Sequence, residues 1–82
     1  MSKEDTFSKV VNILGPFAKN KGALASVSAR TNILKELQVN SARLVDIILG
    51  IEDEFHIEVA DEEADEVVTV GDVVELIVKK AA

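Results

Sequence analysis

The chain has 82 residues, 48% of them apolar, with three Phe and no Trp, Tyr or Cys; that is enough for one aliphatic core and excludes a separate cofactor domain. Fifteen acidic against nine basic side chains give a net charge of −6, which repels nucleic-acid phosphates and anionic lipid and favours partners with basic patches. Without cysteine there is no disulfide framework and no protein thiol, so any thioester chemistry needs a sulfur from elsewhere. The opening Met1-Ser2-Lys3-Glu4-Asp5 has no apolar signal core, and no apolar run approaches the roughly 20 residues of a membrane span. The expectation is a single domain over residues 1–82, cytoplasmic, without membrane insertion.

In chain order, Phe7, Val10, Val11, Leu14 and Phe17 form one helical stripe behind a Ser2-x-x-Asp5 capping box. Gly15-Pro16 ends or bends this first helix, because proline lacks the amide donor and restricts the residue before it. From Lys19 to Val39 the periodicity fades among Asn20, Gly22, Ser26, Ser28 and Asn32. A long loop is predicted there, with a helical turn at Ile33, Leu34 and Leu37, and with Leu24, Val27 and Ile33 packed loosely on the bundle.

A second main helix is predicted from Ser41 to Phe55, capped by Asn40, with Ser41 in its first turn. Leu44, Ile47, Ile48, Ile51 and Phe55 fall on one inward arc, each contributing about 1.5–3 kcal/mol if fully buried. Ala42, Arg43, Asp46, Gly50 and Asp53 take the opposite arc, flanked by Val45, Leu49 and Glu52. Asp61 is the expected cap of a short helix that turns Ala64 and Val67 inward. Thr69-x-x-Asp72 opens the last helix, whose Val70, Val73, Val74 and Ile77 share a face and whose Lys79-Lys80 end suits the helix dipole. The fold class read from this pattern is all-α: a small bundle of three main helices plus one short helix, with a long loop between the first two main helices.

Charge divides at Ser41. Residues 1–40 carry six basic and three acidic groups, and residues 41–82 carry three basic and twelve acidic groups, so the second half presents the anionic surface. Other chemistry has little support. His56 is the one histidine, Ser41 lacks a Gly-x-Ser-x-Gly setting, and the acidic run Asp61–Glu66 lacks the alternating ligands and turn glycine of an EF-hand.

From Ile33 to Ile77 the order of features resembles the acyl carrier protein family. The best-marked segments are Leu37-Gln38-Val39-Asn40-Ser41, then Ile51-Glu52-Asp53-Glu54-Phe55-His56-Ile57-Glu58-Val59, then Thr69-Val70-Gly71-Asp72-Val73-Val74. The resemblance implies that Ser41 is the serine esterified to 4′-phosphopantetheine by a separate phosphopantetheinyl transferase, and that the protein is a carrier, not a catalyst. A helix N-terminus at Ser41, with free amides and a positive dipole end, suits a phosphodiester. The arm's thiol then holds acyl groups as thioesters and visits several enzymes.

By the same resemblance, Ile33, Leu44, Ile47, Ile51, Ala64 and Val67 are expected to line the acyl chain. Asn40, Ala42, Arg43, Val45, Asp46, Leu49, Glu52 and Asp53 are expected to meet acyl-transferring or acyl-modifying enzymes, with the carrier as a monomer. The family has Asp-Ser-Leu followed by an acidic residue where this chain reads Asn40-Ser41-Ala42-Arg43. That departure implies a specialised carrier for a dedicated lipid or secondary-metabolite pathway. The alternative is a small acidic helical interaction module without a prosthetic group.

Overall fold

The computed structural model describes residues 2–81. Five α-helices follow one another as α1 (Lys3–Leu14), α2 (Lys21–Ala25), α3 (Leu44–Phe55), α4 (Asp61–Asp65) and α5 (Val70–Ala81), with 3₁₀ turns at Gly15–Phe17 and Ser41–Arg43. The three main helices, α1, α3 and α5, are 12 residues each and form an all-α bundle. None of the described helices is long and apolar enough to cross a membrane.

Each main helix is one-sided. α1 starts where the Ser2 hydroxyl accepts the Asp5 amide at 3.1 Å and the Thr6 hydroxyl donates to the Ser2 carbonyl at 2.9 Å; it buries Thr6, Val10 and Leu14. α3 buries Ile47, Ile48, Ile51 and Phe55 and stops at His56, which takes the left-handed conformation with φ 55 and donates its amide to the Glu52 carbonyl. α5 buries Val70, Val73, Val74 and Ile77. Its start is reciprocally capped: Thr69 Oγ1 accepts the Asp72 amide at 3.1 Å, while Asp72 Oδ2 accepts the amides of Thr69 and Val68 at 3.0 and 2.9 Å. These three stripes meet in one cluster, which Ile33, Leu37, Val39 and Val67 complete.

Three local expectations change. The predicted loop contains α2, whose Asn20 cap accepts the Ala23 amide at 3.0 Å; five residues interrupted by Gly22 are too few to show a helical period. Ser41–Arg43 is a 3₁₀ turn, so regular α-helix begins three residues later than predicted, at Leu44. The residue capping α4 is Ala60, with Asp61 already inside the helix; the side chain of Glu63 reaches back instead and accepts the Ala60 amide at 3.0 Å.

The rest of the long connection packs tightly rather than loosely. Asn32 and Thr69 form an antiparallel bridge, where Ile33 N–H donates to the Val68 carbonyl and Val70 N–H to the Thr31 carbonyl, both at 3.0 Å. Gly71 N–H continues the seam to the Ala29 carbonyl at 2.8 Å. These bonds draw Ile33, Leu37 and Val39 into the core at 4% exposure or less, while Leu24 and Val27 stay half-buried. A Cβ on Gly71 would stand 2.7 Å from the Ala29 oxygen, so only glycine permits this close approach.

Gly71→Ala is therefore expected to lower stability by about 1–3 kcal/mol through overpacking, measured by urea denaturation. Asp72 generates a second expectation. The amides of Thr69 and then Val68 hold its carboxyl below the ordinary value of 3.8. A lowered folded-state value means stability that is complete above that ordinary value and is lost as pH falls through the lower folded one. Acid titration of thermal stability should show this loss in the native chain and a flatter acid limb in Asp72→Asn.

Candidate functional site

Ser41 is exposed and opens the 3₁₀ turn that leads into α3. Asn40 shapes this turn from outside: its Oδ1 accepts the Ala42 amide at 2.9 Å and its carbonyl accepts the Arg43 amide at 2.8 Å. The Leu44 amide in turn donates to the Ser41 carbonyl. The free amides expected at this end are thus largely taken up within the turn, since a 3₁₀ start pairs them locally. What remains for an anion at Ser41 is the positive end of the α3 dipole.

From Ser41 an open groove of about 540 Å³ runs between α3 and α4, lined by Ser41, Leu44, Val45, Ile48, Leu49, Glu52, Val59, Asp61, Ala64 and Asp65. The α3 side is one stripe at helical spacing, counted from Ser41 through Leu44 and Val45 to Ile48 and Leu49 and on to Glu52. Opposite it stand Val59 and α4, which buries none of its own five residues. Two polar tethers hold this second wall. Glu52 Oε2 accepts the Val59 amide at 2.8 Å, fastening the approach to α4 against α3. Glu63 Oε1 lies 2.6 Å from Lys80 Nζ, with both side chains under 30% exposed, fastening α4 to the end of α5. The Lys80 hydrogen bond, followed by the Ala60 amide, holds the Glu63 carboxyl below the ordinary value of 4.5.

The sequence-predicted residues divide by depth. Of the six named for an acyl chain, Leu44 and Ala64 line the groove. Ile33, Ile47 and Ile51, each at 1% exposure or less, and Val67 at 9%, belong to the core cluster. Of the eight named for partners, Asn40, Ala42, Arg43, Val45, Asp46, Leu49 and Asp53 are exposed, and Val45 and Leu49 are large apolar groups at 64% and 57%. Glu52 is half-buried and engaged with Val59. Arg43 Nη1 pairs with Asp46 Oδ2 at 3.2 Å. Sequence reasoning left out Ile48, Val59, Asp61 and Asp65 as groove residues. The stripe spacing from Ser41 points to Ile48; the other three come from a separate segment, and no local pattern brings them to α3. Among the described residues no group of three or more His, Asp or Glu is arranged to hold a metal ion.

Comparison with known proteins bears on the family and the fold. A family model described as "Phosphopantetheine attachment site" matches residues 9–77. The chain is 38% identical over 78 residues to an acyl carrier protein of Lactobacillus acidophilus, covering 94% of each. To an acyl carrier protein of Thermotoga maritima it is 35% identical over 80 residues, covering 96% of this chain and 95% of that one. Among solved structures it is similar to the acyl carrier protein from Enterococcus faecalis, with a TM-score of 0.80 and 31% identity, covering 98% of this chain and 99% of the other.

The Glu52 tether generates an expectation of its own. Glu52→Ala removes a charge-assisted hydrogen bond of about 1.5 kcal/mol, so amide exchange at Val59 should accelerate by roughly tenfold, while amides in the middle of α1 and α5 keep their rates.

Proposed function

Because the chain belongs to the acyl carrier protein family, a family of carriers and not of catalysts, we propose that its 4′-phosphopantetheine arm is attached through the hydroxyl of Ser41. The observation that carries this reading is the meeting of three features at one residue. Ser41 is exposed, it lies at the N-terminal end of α3, and it sits on the rim of a groove with a largely apolar lining. The residues present fit the group. The hydroxyl is open to a phosphoryl donor, the helix dipole favours the phosphodiester, and no bulky side chain flanks Ser41, whose neighbours are Asn40 and Ala42.

When bound, the arm supplies the thiol that a chain without cysteine lacks. Everything else in this reading falls to the protein's own residues. Leu44, Ile48, Leu49, Val59 and Ala64 shelter an apolar chain from water, at about 0.8 kcal/mol for each CH₂ buried. Ile33, Ile47, Ile51 and Val67 form the packed floor beneath, and a longer chain reaches them only by displacing core contacts. α4 is the wall that yields, since none of its residues is buried and, apart from the partly buried Ala64, it is held by polar contacts.

Val45 and Leu49 give enzymes an apolar contact, and Asp53 gives them an exposed carboxylate. Asn40, Ala42, Arg43, Asp46 and Glu52 complete the partner-facing set around them. Phosphopantetheinyl transferase and acyl-transferring or acyl-modifying enzymes are the partners, and the chain is a monomeric, single-domain carrier in the cytoplasm. Ala42 offers less apolar area than the leucine of the resembled motif, and Arg43 reverses the charge of the acidic residue there. Interfaces are decided by a few such contacts, so this carrier serves a dedicated pathway.

Incubation with coenzyme A and a broad-specificity phosphopantetheinyl transferase should raise the intact mass by one phosphopantetheine. Ser41→Ala should remove that increase while retaining the helical circular dichroism of the native chain. A native chain without mass gain, or a gain that survives Ser41→Ala, would overturn the assignment.

A further inference from the structure

The charge around Ser41 is uneven across the groove, balanced on the α3 side and negative on the α4 side. On the α3 side, Arg43 follows Ser41 by two residues, and its guanidinium lies 3.2 Å from the Asp46 carboxylate. Both side chains face solvent, at 64% and 47% exposure, and such pairs add little to stability. Their consequence lies in the field. Asp46 is neutralised by its neighbour, and neither Asn40 nor Ala42 brings a carboxylate beside Ser41. The next carboxylate along the stripe, Glu52, is engaged by the Val59 amide.

On the α4 side the opposite holds. Asp61 and Asp65 line the same groove as Ser41 and are exposed. None of the ion pairs among the described residues involves either of them. An approaching enzyme therefore meets a charge-balanced Arg43–Asp46 pair on one side of Ser41 and open carboxylates on the other.

We propose that Arg43 is a specificity-determining residue. By cancelling the Asp46 carboxylate it removes the attraction for basic groups at the start of α3 and leaves them the Asp61–Asp65 edge. The enzyme surface that fits is cationic over α4 and neutral or acidic over Arg43. Specificity is a difference of affinities, so a surface that withholds attraction at one place and keeps it at another discriminates between partners. Ser41 shares the groove with Asp61 and Asp65, and charges are screened only beyond a Debye length of roughly 8–10 Å. The proposal rests on Ser41 as the attachment point.

The test is the kcat/KM for Ser41 modification by a phosphopantetheinyl transferase with a basic docking surface, measured across a range of salt concentrations. Arg43→Glu should raise kcat/KM by roughly three- to tenfold at low ionic strength, mainly through KM, and the gain should vanish at high salt. Arg43→Ala should fall between it and the native chain. The double variant Asp61→Asn with Asp65→Asn should lower kcat/KM with the same salt dependence. Circular dichroism of each variant separates these effects from loss of fold. If Arg43→Glu matches the native chain at every salt concentration, or its gain is independent of salt, the proposal is overturned and the Ser41 assignment stands. If neither the native chain nor any Arg43 variant is modified, both fall together.

Discussion

The inner face of α3 presses Ile47, Ile48, Ile51 and Phe55 into the cluster formed with Val10 and Leu14 of α1 and Val73 and Ile77 of α5. That burial fixes the rotation of α3 about its own axis, because turning it by one residue's 100 degrees would bring Val45 and Leu49 inward and expose isoleucines. With rotation fixed, the adjoining stripe from Ser41 through Leu44, Val45, Ile48 and Leu49 faces the groove. The position of Ser41 is thus a consequence of core packing, at a helix start whose dipole favours the phosphate it is proposed to receive.

The two walls of the groove are built differently. α3 is anchored by buried side chains, whereas α4 buries none and is held by the partly buried Ala64, by Glu52 through Val59 and by Lys80 through Glu63. A stiff wall beside a lightly tethered one can widen without unfolding the bundle, since local openings draw on the least buried elements. The frame around them stays closed. The seam that joins residues 29–33 to residues 68–71 packs the long connection onto the start of α5, with Gly71 as the close contact that permits it.

Periodicity made α1, α3 and α5 readable from the amino-acid sequence, and the Ser2/Asp5 and Thr69/Asp72 pairs marked two of their starts correctly. The short elements were less readable for a physical reason. α2 has no apolar stripe of its own, the 3₁₀ start of α3 differs from an α-turn by one hydrogen-bond register, and the α4 cap depends on Glu63 reaching backwards. The groove was readable on one side only. Its α3 stripe follows helical spacing, but Val59, Asp61 and Asp65 arrive through tertiary tethers that no window of sequence contains. Glu52 illustrates the limit: an acidic residue on an amphipathic flank reads as a solvent-facing group, and its contact with an amide seven residues on appears only in the folded chain.

The family assignment makes the chain a carrier, and the chemistry of that carrier hangs on the attachment proposed at Ser41. Peptide mass spectrometry on the protein recovered from its own cells tests this most directly. The account predicts that the peptide containing Ser41 carries one phosphopantetheine, in part loaded with an acyl group through its thiol. A Ser41 that stays unmodified in every growth condition, or the same group found on another serine of the chain, would contradict it.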